Sequence, residues 1–122
     1  RRPPPPKPSP YTTLFRSFLA QAPAVIVVCA VPEESATKYG PRGRELYCLQ
    51  DTAAAAENIL LAATDRGLGS CWVGAFDERA TARALELPRS WRPVALIALG
   101  LAAETEPQRT RRSLSEITLW YE

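Results

Sequence analysis

Histidine and methionine are absent from this 122-residue chain, and cysteine occurs only three times. Without histidine there is no Ser-His-Asp or Cys-His hydrolytic centre and no imidazole-ligated metal. Three cysteines cannot all pair, and none stands in a Cys-x-x-Cys spacing. Neither a disulfide framework nor a thiolate metal site is therefore expected. No apolar run approaches the ~20 residues that a membrane-spanning helix needs. A dominant charge is lacking as well, since 15 basic residues face 13 acidic ones for a net charge of +2. What is present is a 46% share of hydrophobic residues, enough for the core of one small domain. These features describe a soluble, cytoplasmic α/β domain. Its function must rest on backbone groups, arginines, carboxylates or a bound cofactor.

The first seventeen residues differ from the rest. They hold six of the twelve prolines, four basic residues and no acid. Without them, eleven basic residues face thirteen acidic ones, a net charge of −2. The basicity is thus local, and no nucleic-acid partner is expected. Arg1–Pro10 reads as a disordered polyproline-II-like tail. Pro10–Ser17 (PYTTLFRS) matches the translation of a common short-read sequencing adapter. Residues 1–17 are accordingly expected to be an assembly artefact, and residues 18–122 a partial domain.

Downstream, Ala24–Ala30 (AVIVVCA) reads as a strand buried on both faces. Pro32–Gly43 holds two glycines and two prolines and reads as a loop. Over Arg44–Arg66, a helical stripe runs through Leu46, Leu49, Ala53, Ala56, Leu60 and Ala63. Ala54, Ala55, Ile59, Leu61 and Ala62 make most of the other surface apolar too. Such a helix needs cover on more than one side, which a sheet and a second subunit would supply. Alanine's high helix propensity is the plainer explanation. Gly67 suits a left-handed helix cap. Ser70–Ala75 reads as a short strand, and Asp77 as the cap of a helix over Glu78–Leu85. Pro93–Leu99 reads as a buried strand closed by Gly100. Ser113-Leu114-Ser115-Glu116 fits a capping box that starts a last helix toward Trp120. The order of strands and helices indicates a sheet covered by helices.

Two stretches could carry chemistry. In Gly69–Gly74, small residues flank Trp72, so an aromatic face and bare backbone N–H groups could line a flat heteroaromatic ring. Spacing alone favours a core strand with a packed tryptophan. Arg109, Arg111 and Arg112 precede the capped helix at Ser113. Guanidinium groups beside free helix N–H groups suit a phosphate. Spacing alone favours a solvated charge run. Asp51, Glu57 and Asp65 are spread along one helix and form no close catalytic pair. Asn58 lies within the apolar helix and should bond a backbone carbonyl across an interface.

Taken together, Gln50–Ala63 (QDTAAAAENILLAA), Gly67–Asp77 (GLGSCWVGAFD) and Arg92–Gly100 (RPVALIALG) resemble the C-terminal half of FMN-dependent nitroreductases. The resemblance runs from about Ala22 to Trp120. It implies an α+β class: a three-layer α/β/α nitroreductase-like fold with a mixed sheet, here incomplete. It implies a homodimer around the 44–66 helix, with FMN at the interface between subunits. By resemblance, Cys71, Trp72, Val73, Gly74 and Ala75 lie beside the flavin ring, with the Gly74 N–H facing flavin N5. Arg112, with Arg111 beside it, corresponds to the arginine that binds the FMN phosphate. The implied reaction is ping-pong transfer of hydride from NAD(P)H through FMN to a nitro compound, quinone or similar acceptor.

The departures are also informative. The family's arginine-rich N-terminal stretch is not matched, and Gly100-Leu101-Ala102 replaces a Gly-Tyr-Pro-like turn. About half of the FMN site is then lacking, and the chain as written is expected to bind FMN poorly or not at all. A dimerisation core without activity and a flavin-binding module without turnover remain the alternatives. No catalytic side chain and no metal ligand are assigned.

Overall fold

The computed structural model describes residues 19–104 and 107–121. The segment 1–17 lies outside the described residues. In chain order the elements are β1 (Ala24–Ala30), α1 (Pro32–Arg42), a π-helical turn (Gly43–Tyr47), α2 (Cys48–Asp65), β2 (Gly69–Val73), α3 (Glu78–Ala84), β3 (Arg92–Gly100) and α4 (Leu114–Ile117).

β3 is the most buried of the three strands, and it takes the centre of a sheet of order β1-β3-β2. Both pairings are antiparallel. The mixed sheet implied by the resemblance is therefore represented here by antiparallel strands alone. Register aligns Ile26 and Trp72 on either side of Ile97, and Val28 opposite Ala95. Cys29 then pairs with Pro93, leaving Val94 as the extra residue of a β-bulge. The bulge also accommodates Pro93, which has no N–H to give a ladder.

The core cluster joins Val28, Ala95 and Ile97 to Ala56 of α2. Ala56 and Ile97 are fully buried. A methyl side chain at Ala56 lets the helix backbone approach the sheet closely. Ile59, Leu60, Val94 and Leu99 pack around this centre. α2 ends in a Schellman motif, in which the Leu68 N–H donates to Ala63 O at 2.9 Å and the Gly67 N–H to Thr64 O at 3.0 Å. Gly67 takes φ +71° as that motif requires. Asp77 caps α3 by accepting from the Ala80 N–H at 2.8 Å.

Three expectations need correction. First, β1 is not buried on both faces: Val25 and Ile26 are 39% and 36% exposed. Among the described residues it is an edge strand, with a neighbour on one side, and the core cluster reaches it at Val28.

Second, Pro32–Gly43 is helical rather than a loop. Pro32 starts the helix, where its missing N–H costs nothing, and Glu33 and Glu34 face the positive helix end. Gly40 interrupts α1 with φ 58° and ψ −143°, and Pro41 follows the break. Gly43 meets α1 so closely that a Cβ there would lie 2.4 Å from Ser35 O. The glycines thus mark a kink and a tight crossing. An Arg44–Glu33 ion pair at 2.8 Å and an edge-on Tyr39–Tyr47 contact at 5.2 Å tie the crossing together. The Arg44 guanidinium holds the Glu33 carboxyl below its ordinary value by hydrogen bonding.

Third, the last helix spans Leu114–Ile117 and stops short of Trp120.

Candidate functional site

β2 is open along most of its length and buried at its end. Val73 is 2% exposed and anchors the strand, while Cys71 is exposed and Trp72 keeps 40% of its surface in solvent. The Trp72 indole borders a small cleft of about 160 Å³, walled by Leu49, Thr52 and Ala53 of α2 and by Val94 and Ala95 of β3. The Thr52 hydroxyl donates back to Cys48 O at 2.8 Å, so it offers little polarity to that cleft. Gly74 follows the last paired residue of β2 and is exposed. A Cβ built on Gly74 would have only Trp72 Nε1 near it, at 4.0 Å. The backbone there is open to close approach by a flat group.

A larger open cleft of about 630 Å³ lies at the other end of β2. Gly69, Cys71, Ala98 and Gly100 line it, with Gln21 on one side and Arg109 on the other. Gly74 lies roughly 17 Å along the strand from Gly69, at about 3.3 Å per residue. The structure thus brings Trp72 together with Gly74, and Cys71 together with Arg109. Arg111 and Arg112 line neither cleft. Both are exposed on the segment before α4, where Arg111 Nη1 donates to Arg109 O at 3.1 Å. Arg109 belongs to the same basic run, and spacing alone does not single it out.

The N-terminus of α4 adds less than the sequence suggests. The Ser113 N–H and hydroxyl both donate to the Glu116 carboxylate, at 2.8 and 2.7 Å. These bonds hold the Glu116 carboxyl below its ordinary value. Asn58 is exposed on α2. Glu78 meets Arg92 at 2.9 Å, which lowers its carboxyl pKa by hydrogen bonding. Burial raises the Cys29 thiol. Among the described residues, no three His, Cys, Asp or Glu side chains gather to hold a metal ion. No helix among them is long and apolar enough to cross a membrane.

An antiparallel sheet centred on β3, crossed by one long helix and bordered by short ones, is an α+β arrangement of nitroreductase-like type. Residues 6–101 match the Nitroreductase family, to which this chain belongs. A protein of Archaeoglobus fulgidus, provisionally named as an NADH dehydrogenase/NAD(P)H nitroreductase, is 42% identical over 71 residues, covering 58% of this chain and 37% of that protein. A nitroreductase family protein of Clostridium difficile 630 superposes with a TM-score of 0.71 at 26% identity, covering 84% of this chain and 61% of the other. An FMN-dependent nitroreductase of Clostridium difficile R20291 shares the fold with a TM-score of 0.60 at 24% identity, covering 82% and 56%. The chain spans less than two thirds of each of these relatives.

Proposed function

We propose that this chain is part of an oxidoreductase that uses FMN to carry electrons from NAD(P)H to a nitro compound, quinone or similar acceptor. Family membership supports the class of activity, and one structural neighbour bears FMN-dependence in its name. The observation that carries the reading is the half-exposed Trp72 indole beside the open backbone of Gly74. A flat ring needs an apolar face and an unobstructed backbone, and this end of β2 offers both. A phosphate needs cations, and Arg111 and Arg112 are exposed without a carboxylate partner among the described residues. These residue types suit the chemistry of FMN, with Arg111 and Arg112 standing outside both clefts.

In this reading the backbone of Cys71, Trp72, Val73, Gly74 and Ala75 runs beside the flavin ring, with Trp72 and Gly74 nearest it. Val73 holds the segment rigid from inside the core, and Trp72 keeps water from one edge. The Gly74 N–H is directed at flavin N5, where a fixed donor stabilises negative charge as it develops. Arg112 and Arg111 bind the phosphate through paired guanidinium donors. Bound FMN would supply the redox chemistry, taking two electrons from NAD(P)H and passing them to the acceptor. Two copies meet through α2, whose outward side exposes Ala53, Ala54, Ala55 and Ala62, with Leu61 60% exposed. Three free cysteines suit a reducing compartment, and we assign the protein to the cytoplasm.

The test is to add FMN to the purified chain, then record its visible spectrum, its mass in solution and its oxidation of NADPH. A yellow dimer that oxidises NADPH supports the whole reading. A yellow protein inert to NADPH reduces the reading to flavin binding, and a colourless dimer reduces it to a dimerisation core. A colourless monomer overturns it.

A further inference from the structure

The crossing of α1 and the π-helical turn gathers a cluster that the flavin reading does not use. Lys38, Tyr39 and Arg42 of α1 are exposed, and Tyr47 ends the turn half-buried. The Lys38 ammonium lies 5.2 Å from the centre of the Tyr39 ring, which meets the Tyr47 ring edge-on. The Arg42 guanidinium lies 5.4 Å from the centre of the Tyr47 ring, and its Nε donates to the Tyr47 hydroxyl at 3.0 Å. That bond leaves the two terminal nitrogens as a fork whose orientation Tyr47 sets. Glu33 is held by Arg44, and neither Glu34 nor Glu45 pairs with Lys38 or Arg42 among the described residues. Gly40, with φ 58°, breaks α1 between Tyr39 and Pro41, and the close approach of Gly43 to Ser35 fixes the crossing. Two cations without a carboxylate and an exposed ring are thus arranged before any ligand arrives. Their place in the fold matters as well. β1 and β2 both end beside the start of β3, because Ala30 pairs with Arg92 and Val73 with Leu96. α1 therefore leaves the sheet at the end where Gly74 follows β2.

We propose that Lys38, Tyr39 and Arg42 bind the adenosine 2′-phosphate of the electron donor, so that the chain takes NADPH in preference to NADH. This rests on the reading above that the donor is a nicotinamide dinucleotide. Its nicotinamide ring must meet the flavin near Gly74, and its adenosine end then lies to one side, where α1 stands. A phosphate monoester carries about −1.5 to −2 charge at neutral pH, which two cations match. Arg42 supplies paired donors, and Lys38 supplies a point charge. Tyr39, 50% exposed, gives the adenine an aromatic surface to rest on. NADH carries a hydroxyl in place of that phosphate and leaves both cations to water. Tyr47 is a positioning residue, acting on the ligand through Arg42.

Calorimetric titration of the full chain with adenosine 2′,5′-bisphosphate and with adenosine 5′-monophosphate tests the site without FMN. The bisphosphate should bind, and the monophosphate should bind at least about tenfold more weakly, the scale of lost hydrogen bonds between charged groups. Arg42→Gln should weaken the bisphosphate by a similar factor and Lys38→Gln by a smaller one, with the monophosphate unchanged in both. Arg42→Lys, which keeps the charge without the fork, should recover only part of the loss. Tyr47→Phe keeps the ring under Arg42 and removes the hydroxyl that aims it. It should weaken the bisphosphate and leave the monophosphate alone, a selectivity that a merely structural tyrosine would not show. Equal affinity for the two nucleotides, no binding of the bisphosphate, or a bisphosphate affinity unmoved by both Arg42→Gln and Lys38→Gln overturns the assignment. Should Arg42→Gln fail to fold, the exposed Lys38→Gln decides alone. A chain that turns yellow with FMN yet ignores the bisphosphate loses this inference and keeps the flavin. A colourless chain that binds the bisphosphate loses the flavin and keeps the nucleotide site.

Discussion

β3 and the 107–121 arm are built from similar apolar residues and meet opposite fates. In β3, Ala95, Leu96, Ile97 and Ala98 are 7% exposed or less. In the arm, Leu114, Ile117, Leu119, Trp120 and Tyr121 range from 52% to 89% exposed. Hydrophobicity sets the free energy available on burial, about 25 cal/mol per Å², but not where the burial occurs. β3 finds its cover within the chain, between two strands and under α2. The arm finds none among the described residues, and its apolar surface stays open. One region therefore governs folding, while the other adds little to it.

The sharpest way to break this comparison is at Ile97. It is fully buried at the crossing of β1, β2 and α2. Ile97→Ala removes three carbons from a packed site and should cost about 2–5 kcal/mol. Thermal unfolding should show a large loss or no folded protein. A loss below about 1 kcal/mol would mean that the centre of the sheet is not the core.

Gly43→Ala comes next. The new Cβ would lie 2.4 Å from the Ser35 carbonyl oxygen, which is backbone and cannot swing aside. Separating α1 from the π-helical turn should cost about 1–3 kcal/mol, as overpacking does. The same substitution at Gly74 meets no atom closer than 4.0 Å and should leave unfolding nearly unchanged. Equal effects at the two glycines would erase the distinction between a crossing and an open edge.

A smaller effect tests the ion pair that joins α3 to β3. Arg92 depresses the Glu78 carboxyl in the folded state. The contribution is therefore complete above the ordinary glutamate range near about pH 4.3 and is lost as pH falls through the lowered folded value. The pair is partly exposed, so its worth is about 1 kcal/mol at most. Glu78→Gln should lower stability slightly at pH 6 and flatten the loss on acidification. Identical pH profiles for wild type and variant would show that the pair contributes nothing.

Much of the fold was legible because local and global signals agree. α2 shows a continuous apolar stripe, Gly67 an obligatory cap and Asp77 a cap in the right place. α1 was not legible. Two glycines and two prolines in twelve residues read as a loop, yet Pro32 starts a helix and Gly40 merely kinks it. The pairing of Trp72 with Gly74 follows from their nearness in sequence. The cleft that joins Cys71 to Arg109 does not, because thirty-eight residues separate them and no local spacing signals the contact. β1 was misread for the same kind of reason: an apolar run reveals the wish for burial, whereas strand order decides the cover.

The smallest expected effect bears most directly on the comparison between β3 and the arm. Trp120 is 89% exposed, so within one chain its indole has almost no packing to lose. Trp120→Ser should leave single-chain unfolding within about 0.5 kcal/mol of the wild type, as surface changes do. Stability measured at protein concentrations low enough for monomers should not move. A large loss there would mean that the arm packs on its own chain, and the contrast with β3 would then be one of degree.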